Sequence, residues 1–252
     1  GWPRLVERLD QTQAETPPMT LKVNTFSIAA RCAETRQLGV AVATKVPAVG
    51  AICPFVEWGV GALSTQAWTD PYLGPRVLDR LQAGLPADEA LAAALAASPD
   101  PELRQIGVVD DAGRAAAHTG RITDPWTGHR CGPDYSCQGN MLAGPEVVEG
   151  MADAFEATAG QPLADRLMQA LEAGQAAGGD RRGRQSAALI VRGPEIYAVV
   201  DLRVDEHPDP VLELRRVLEV ARRDLFPFIE ALPTRANPHG HFDEARKRMA
   251  PK

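Results

Sequence analysis

Short apolar runs separated by small polar turns dominate the first third of the chain. VNTFSIAAR, residues 23–31, reads as a strand. CAETRQLG supplies a polar turn and GVAVATK a second strand, with Gly39 where the hairpin would close. VGAICPFVEWGVGALSTQAW, residues 49–68, continues as two further runs split by Glu57 and Gly59. Four strands within about 45 residues, joined by short turns, predict an antiparallel meander.

The period then changes. Asp70-Pro71 opens a helical stretch, PYLGPRVLDRLQAG, that ends at Gly84. PADEALAAALAAS is a second helix, with acids in its first turn and a stop at Ser98-Pro99. RQIGVVDDAGRAAAHTG reads as a hairpin with Asp111-Ala112-Gly113 at its tip, and Cys137 to Leu142 as another short strand. Helices over Glu146–Thr158 and Leu163–Gly174 follow, then two strands across the Gly193-Pro194 turn and a closing helix, PVLELRRVLEVARRD. Helices come in blocks rather than after each strand, which disfavours a doubly wound parallel sheet. The order predicts an α+β fold, a four-layer αββα sandwich of two stacked antiparallel sheets with helices outside.

Ahead of this pattern, Trp2, Leu5, Val6 and Leu9 have helical spacing and give way to a polar stretch ending in Pro-Pro, with Met19 a plausible natural start. Residues 1–22 are therefore expected to be an N-terminal extension and linker, 23–225 the domain, and 226–252 an irregular C-terminal tail. A net charge of −6 over 252 residues argues against a nucleic-acid binder. No apolar run approaches a membrane span, and the first twenty residues lack a secretory pattern. Cys32, Cys53, Cys131 and Cys137 form no CxxC pair and are expected as reduced thiols. These features point to a soluble cytoplasmic protein, and its Ala- and Leu-rich helix faces to a homo-oligomer.

No Walker loop, Rossmann fingerprint, nucleophile elbow or HExxH helix is present. Chemistry then rests on polar clusters at strand ends. Thr25 heads the first strand, and pairing of the opening hairpin would bring Thr44-Lys45 back beside it. Lys45 could tune an amine base there, although a surface lysine ending a strand is the simpler reading of the spacing. Backbone N–H groups at Ser64-Thr65-Gln66, or the amide of Asn140 in Gln138-Gly139-Asn140, could serve an oxyanion, with turn chemistry as the alternative. GGDRRGRQS, residues 178–186, compresses three arginines and an acid between glycines, as a carboxylate-binding loop or a structural turn would. Asp205, His207 and Asp209 have metal-ligand chemistry, but Asp209 is also well placed to cap the closing helix. His129 with Cys131 and Cys137 is a weak zinc pattern.

TFSIAAR, GVAVATK, WGVGALSTQA, DPYLGP, HTG, QGNML, GGDRRGRQSAAL and VDLRVDEHPDP occur in one order. Together, over roughly Val23 to Arg223, they resemble the bacterial family catalogued as domain of unknown function 1028, of the N-terminal-nucleophile (Ntn) hydrolase superfamily. The resemblance implies that superfamily's αββα sandwich. It also implies a threonine nucleophile, Thr25, as first residue of a mature chain, with its own α-amine as base. Lys45 would support the proton shuttle, and Asn140 or N–H groups around Thr65 would be oxyanion donors. Arg181 and Arg184 would hold a substrate carboxylate, with Gln66, Gln138, Asp180 and Ser186 beside them in the substrate site. The implied activity is cleavage of an amide or other C–N bond in a small molecule, with no cofactor and no metal. It requires release of Thr25 from Asn24. A sandwich that binds small molecules without catalysis is the alternative, and a metal-dependent hydrolase built on Asp205, His207 and Asp209 a third.

Overall fold

Ten strands and six helices make up the part of the chain that the computed structural model describes, residues 25–121 and 126–242. The opening hairpin is β1 (Thr25–Arg31) and β2 (Leu38–Thr44), paired so that Thr25 faces Thr44 and Arg31 faces Leu38. The chain then leaves this sheet through a 3-10 turn at Val49–Ala51 and builds β3 (Pro54–Glu57) and β4 (Gly61–Ala67) in a second sheet. The expected meander is thus two hairpins in different layers. Helices α1 (Leu73–Gln82) and α2 (Ala87–Ala96) follow, then β5 (Arg104–Asp110) and β6 (Ala115–Thr119). Strands β7 (Thr127–Gly132) and β8 (Tyr135–Asn140) return to the first sheet. Helices α3 (Glu146–Ala157) and α4 (Leu163–Ala176) precede β9 (Ser186–Arg192), β10 (Ala198–Val204) and the closing helices α5 (Pro210–Asp224) and α6 (Phe226–Ile229).

The strand orders are β10-β9-β2-β1-β8-β7 and β3-β4-β5-β6, with antiparallel neighbours throughout. The two sheets stack, so the fold is α+β with helices outside each sheet. Phe26, Ile28 and Ala30 of β1 point outward into the core formed with Met151, Phe155, Leu167 and Leu171 of α3 and α4. On the other sheet, Leu63, Ile106 and Val108 pack against Leu73, Val77, Leu81 and Leu91 of α1 and α2. Strand alternation does this sorting, because successive side chains leave opposite faces.

Three sequence expectations change. Gly39 does not close the hairpin; it lies inside β2, opposite Ala30 and Val191. A Cβ there would come 2.7 Å from both the Ile190 carbonyl oxygen and Leu167 Cδ1, so the glycine lets α4 approach the sheet. Strand β7, TGHRCG, was not expected; it is a half-exposed edge strand with few apolar residues. The start of the tail is ordered: α6 continues from α5, Ala231 is buried and accepts the His241 N–H, and the Tyr197 hydroxyl donates to the Pro233 carbonyl. The expected N-terminal helix and linker lie outside the described residues. No helix among the described residues is long and apolar enough to cross a membrane.

Candidate active site: a buried polar seam between the sheets

The inner faces of the two sheets differ from end to end. At one end Ala29, Leu38, Val40, Ala62 and Val109 make an apolar contact. Elsewhere β1, β4, β5 and β8 present Thr25, Ser27, Ser64, Gln66, Gln105, Ser136, Gln138 and Asn140, all fully buried. Buried polar groups must be paired, and these pair with one another across the sandwich.

Gln105 orients the network. Its Nε2 donates to the Gly139 carbonyl at 2.8 Å and the Gly128 carbonyl at 3.1 Å, which only accept. Its Oε1 must therefore face inward, where it accepts from Gln66 Nε2 at 2.8 Å and Asn140 Nδ2 at 3.0 Å. Gln66 Nε2 also reaches the Thr25 carbonyl at 3.2 Å, and its Oε1 accepts from the Ser27 hydroxyl at 2.6 Å. Ser27 in turn accepts from Gln138 Nε2 at 2.6 Å, and Gln138 Oε1 from Ser136 at 2.8 Å. Gly107 leaves the space: a Cβ there would lie 1.8 Å from Gln138 Oε1.

Thr25 closes the seam at the head of β1. Its hydroxyl donates to Thr44 Oγ1 at 3.1 Å. Arg31 N donates to the carbonyl of its direct partner Asp134, and Cys32 N to that of Gln37. Odd residues of β1 therefore exchange hydrogen bonds with β8 and even ones with β2. By that alternation the Thr25 nitrogen points toward Asn140, its partner in β8.

The loop between α4 and β9 wraps this end. Asp180 is buried, and its carboxylate accepts from the Lys45 and Arg182 backbone N–H groups, both at 2.8 Å, and from the Arg182 guanidinium at 3.2 Å. Burial raises its carboxyl above the ordinary 3.8, against the pull of Arg182 and the Lys45 N–H. Ser186 bridges the Val46 carbonyl at 2.6 Å and Val49 N at 3.1 Å. Arg184 pairs with Asp209 at 2.9 Å, and Arg181 is exposed with no ion pair among the described residues.

The expected site residues thus divide. Thr25, Asn140, Gln66 and Gln138 come together in the seam, and Lys45, Asp180 and Ser186 border it through the loop. Lys45 Nζ, however, turns to the Arg184 carbonyl at 3.1 Å, and the expected contact with Thr25 is not formed. The Thr65 N–H is taken by the Cys53 carbonyl at 3.0 Å, and the Asn140 amide by Gln105. The Thr65 N–H and one of the two Asn140 Nδ2 protons are thus engaged within the protein. Gln66, Gln138 and Ser186 each make internal bonds with their polar atoms. Asp209 occupies the α5 N-cap position but makes no side-chain capping bond, because Arg184 holds its carboxylate. His207 Nδ1 accepts from the Asp209 N–H. His129 Nδ1 bonds Thr119, which also receives Gln105, and the Cys131 thiol donates to Ser136. Among the described residues no three His, Cys, Asp or Glu are grouped to hold a metal ion.

Sequence reasoning missed Gln105, Ser27 and Ser136. The available signal was alternating polar residues in two otherwise apolar or small-residue strands, Ser64 and Gln66 in β4 and Ser136, Gln138 and Asn140 in β8, with Ser27 and Gln105 as single cases in β1 and β5.

Comparison with known proteins gives the chain its relatives. The model of the Family of unknown function (DUF1028) matches residues 25–214. The chain belongs to this family. A crystal structure of protein SPO2555 from Silicibacter pomeroyi, assigned to the DUF1028 family model, aligns with a TM-score of 0.78 and 29% identity. That alignment covers 86% of this chain and 98% of that one. Anbu (ancestral beta-subunit) from Yersinia bercovieri aligns with a TM-score of 0.36 and 13% identity, over 82% of this chain and 98% of that one. The latter superposition is too loose to bear on fold or chemistry. No curated protein matches the chain.

Proposed function

We propose that this DUF1028 member is an N-terminal-nucleophile hydrolase that cleaves an amide or other C–N bond in a small molecule, with Thr25 as nucleophile. The observation that carries the reading is the position of Thr25. It heads a central strand, its hydroxyl is hydrogen-bonded to Thr44, and its nitrogen points toward β8 at the edge of a rigid polar seam. The family match also opens on this residue.

The chemistry follows from one residue carrying both nucleophile and base. An α-amine has a reference pKa of about 7.7–8.0, so its neutral form can take the hydroxyl proton near neutral pH. Thr25 Oγ1 would attack the substrate carbonyl, and the proton would pass through the amine to the departing nitrogen. Water would then hydrolyse the threonine ester, returning the hydroxyl. The amine exists only once the Asn24–Thr25 bond is broken, and breakage by the same hydroxyl is an N-to-O acyl shift followed by ester hydrolysis. Lys45 acts in this scheme by its charge, one residue beyond Thr44. Arg181 is the exposed cation of the loop and the candidate for a substrate carboxylate.

A simple alkyl β-lactone is the probe. One covalent adduct on a peptide that begins with Thr25, absent from a Thr25→Ala variant, is expected. An adduct confined to other residues contradicts the proposal. A second reading, ligand binding without catalysis, is favoured by one observation: in the intact chain Thr25 is fully buried and its nitrogen is an amide. A chain that remains unmodified by the lactone yet binds small carboxylates by calorimetry, with affinity lost in Arg181→Ala, would support it.

A further inference from the structure

Asn140 is the last residue of β8 and the direct partner of Thr25, and the two atoms of its carboxamide have different fates. The nitrogen donates to Gln105 Oε1. That assignment is fixed, because Gln105 is itself oriented by two carbonyls and can offer Asn140 only its oxygen. The oxygen, Oδ1, is buried and has no hydrogen-bond partner among the described residues, in a residue that is 0% exposed. Every other side-chain polar atom of Ser27, Gln66, Gln105, Gln138 and Asn140 has at least one partner, so among these five residues the one unpaired atom is this acceptor, on the strand partner of Thr25. A buried acceptor without a donor is unfavourable and marks a place where a donor arrives.

As a peptide nitrogen, Thr25 N has one proton, which the strand alternation directs to the Asn140 backbone. As an ammonium it has three. Breaking the Asn24–Thr25 bond creates, on the β8 side of Thr25, the donors that the carboxamide lacks. We propose that the Asn140 side-chain oxygen accepts a hydrogen bond from the Thr25 α-amine after release, so that Asn140 positions the base. Resting on the proposed function, this assigns Asn140 a role opposite to oxyanion donor.

The groups packed around the Thr25 nitrogen do not compete for this role. From β2, Thr44 bonds the Thr25 hydroxyl and the Lys45 ammonium is held at the Arg184 carbonyl. From the loop, the Asp180 carboxylate is engaged by Lys45 N and Arg182. From β4 and β5 come the neutral Gln66 and Gln105, and His129 is reached only beyond Thr119. The acceptor stabilises the charged amine and, in the neutral form, fixes the direction of its lone pair.

The test uses the full-length chain carrying 13C-methyl threonine, in wild type, Asn140→Ala and Asn140→Asp. The Thr25 methyl is assigned by its loss in Thr25→Ser and followed by NMR against pH. Relative to wild type, Asn140→Ala is expected to lower the amine pKa by about one unit or more, a tenfold or larger change in the equilibrium, while Asn140→Asp raises it. If wild type sheds residues 1–24 but both variants titrate as it does, the role of Asn140 is wrong and the proposed function stands. A wild type that never sheds them removes both. Where Asn140→Ala folds but is not released from residue 24, release of Asn140→Asp supports an acceptor; failure of both, with wild-type melting, refutes it.

Discussion

Replacing Gln105 by Met tests the seam at its hub, with a side chain of similar length that keeps the volume and removes the carboxamide. Four losses follow from the geometry, the first being the bond to the Gly128 carbonyl. Asn140 Nδ2 loses its partner and becomes a buried, unpaired donor. Gln66 Nε2 keeps the Thr25 and Gln138 carbonyls, and the Gly139 carbonyl keeps the Thr127 hydroxyl, so these lose one bond each. An orphaned buried donor costs about 1–3 kcal/mol and each net hydrogen bond about 1 kcal/mol, giving a loss of about 4–6 kcal/mol. Urea unfolding followed by circular dichroism should show the midpoint falling with an unchanged slope. Adding Asn140→Leu removes the orphan, so the double variant should be more stable than the sum of the single effects allows, by about 1 kcal/mol or more. Glu213→Gln, which breaks an exposed pair with Arg216, is the control and should change stability by less than about 1 kcal/mol. A Gln105→Met cost below about 1 kcal/mol, or strict additivity with Asn140→Leu, would refute the seam as a coupled network.

Two further outcomes follow from the same packing. Gly107→Ala drives a methyl into Gln138 and Ser136 and should cost about 3 kcal/mol or more by urea unfolding; Gly59→Ala, with φ +77° and nothing within 4 Å, should cost about 1–2 kcal/mol from backbone strain alone. Burial raises the Asp180 carboxyl above 3.8, so the folded state holds this proton more tightly than the unfolded state. The stability it contributes is full below 3.8 and is lost as pH rises through the raised folded value, a decline that unfolding curves should show in wild type and not in Asp180→Asn.

Much of the fold was legible because apolar periodicity reports burial directly. Helix α5 has the bounds read from PVLELRRVLEVARRD, and the β9–β10 hairpin turns where Gly193-Pro194 stands. Strand β7 was not legible, since a half-exposed edge carrying Thr, Gly, His and Arg offers neither an apolar run nor a clean alternation. The seam failed to show for a different reason. YSCQGN alternates apolar and polar residues as a strand with one wet face would, yet all six residues are buried. Period-two patterning tells which residues share a face but not whether water or a second sheet lies against it. Gln105, a single uncharged polar residue near the start of RQIGVVD, therefore carried no signal of its own. Thr25 and Asn140 were candidates from the sequence, but hydrogen-bond direction is set by three-dimensional partners, so donor and acceptor atoms at Asn140 came only from the carbonyls that orient Gln105.

The central claim is that Thr25 becomes an N-terminal residue, and N-terminal sequencing with intact-mass measurement of the purified full-length protein tests it most directly. The account expects a chain beginning at Thr25, having lost residues 1–24, and no such product from Thr25→Ala. A wild-type chain in which Asn24 stays joined to Thr25 through purification and storage would contradict it.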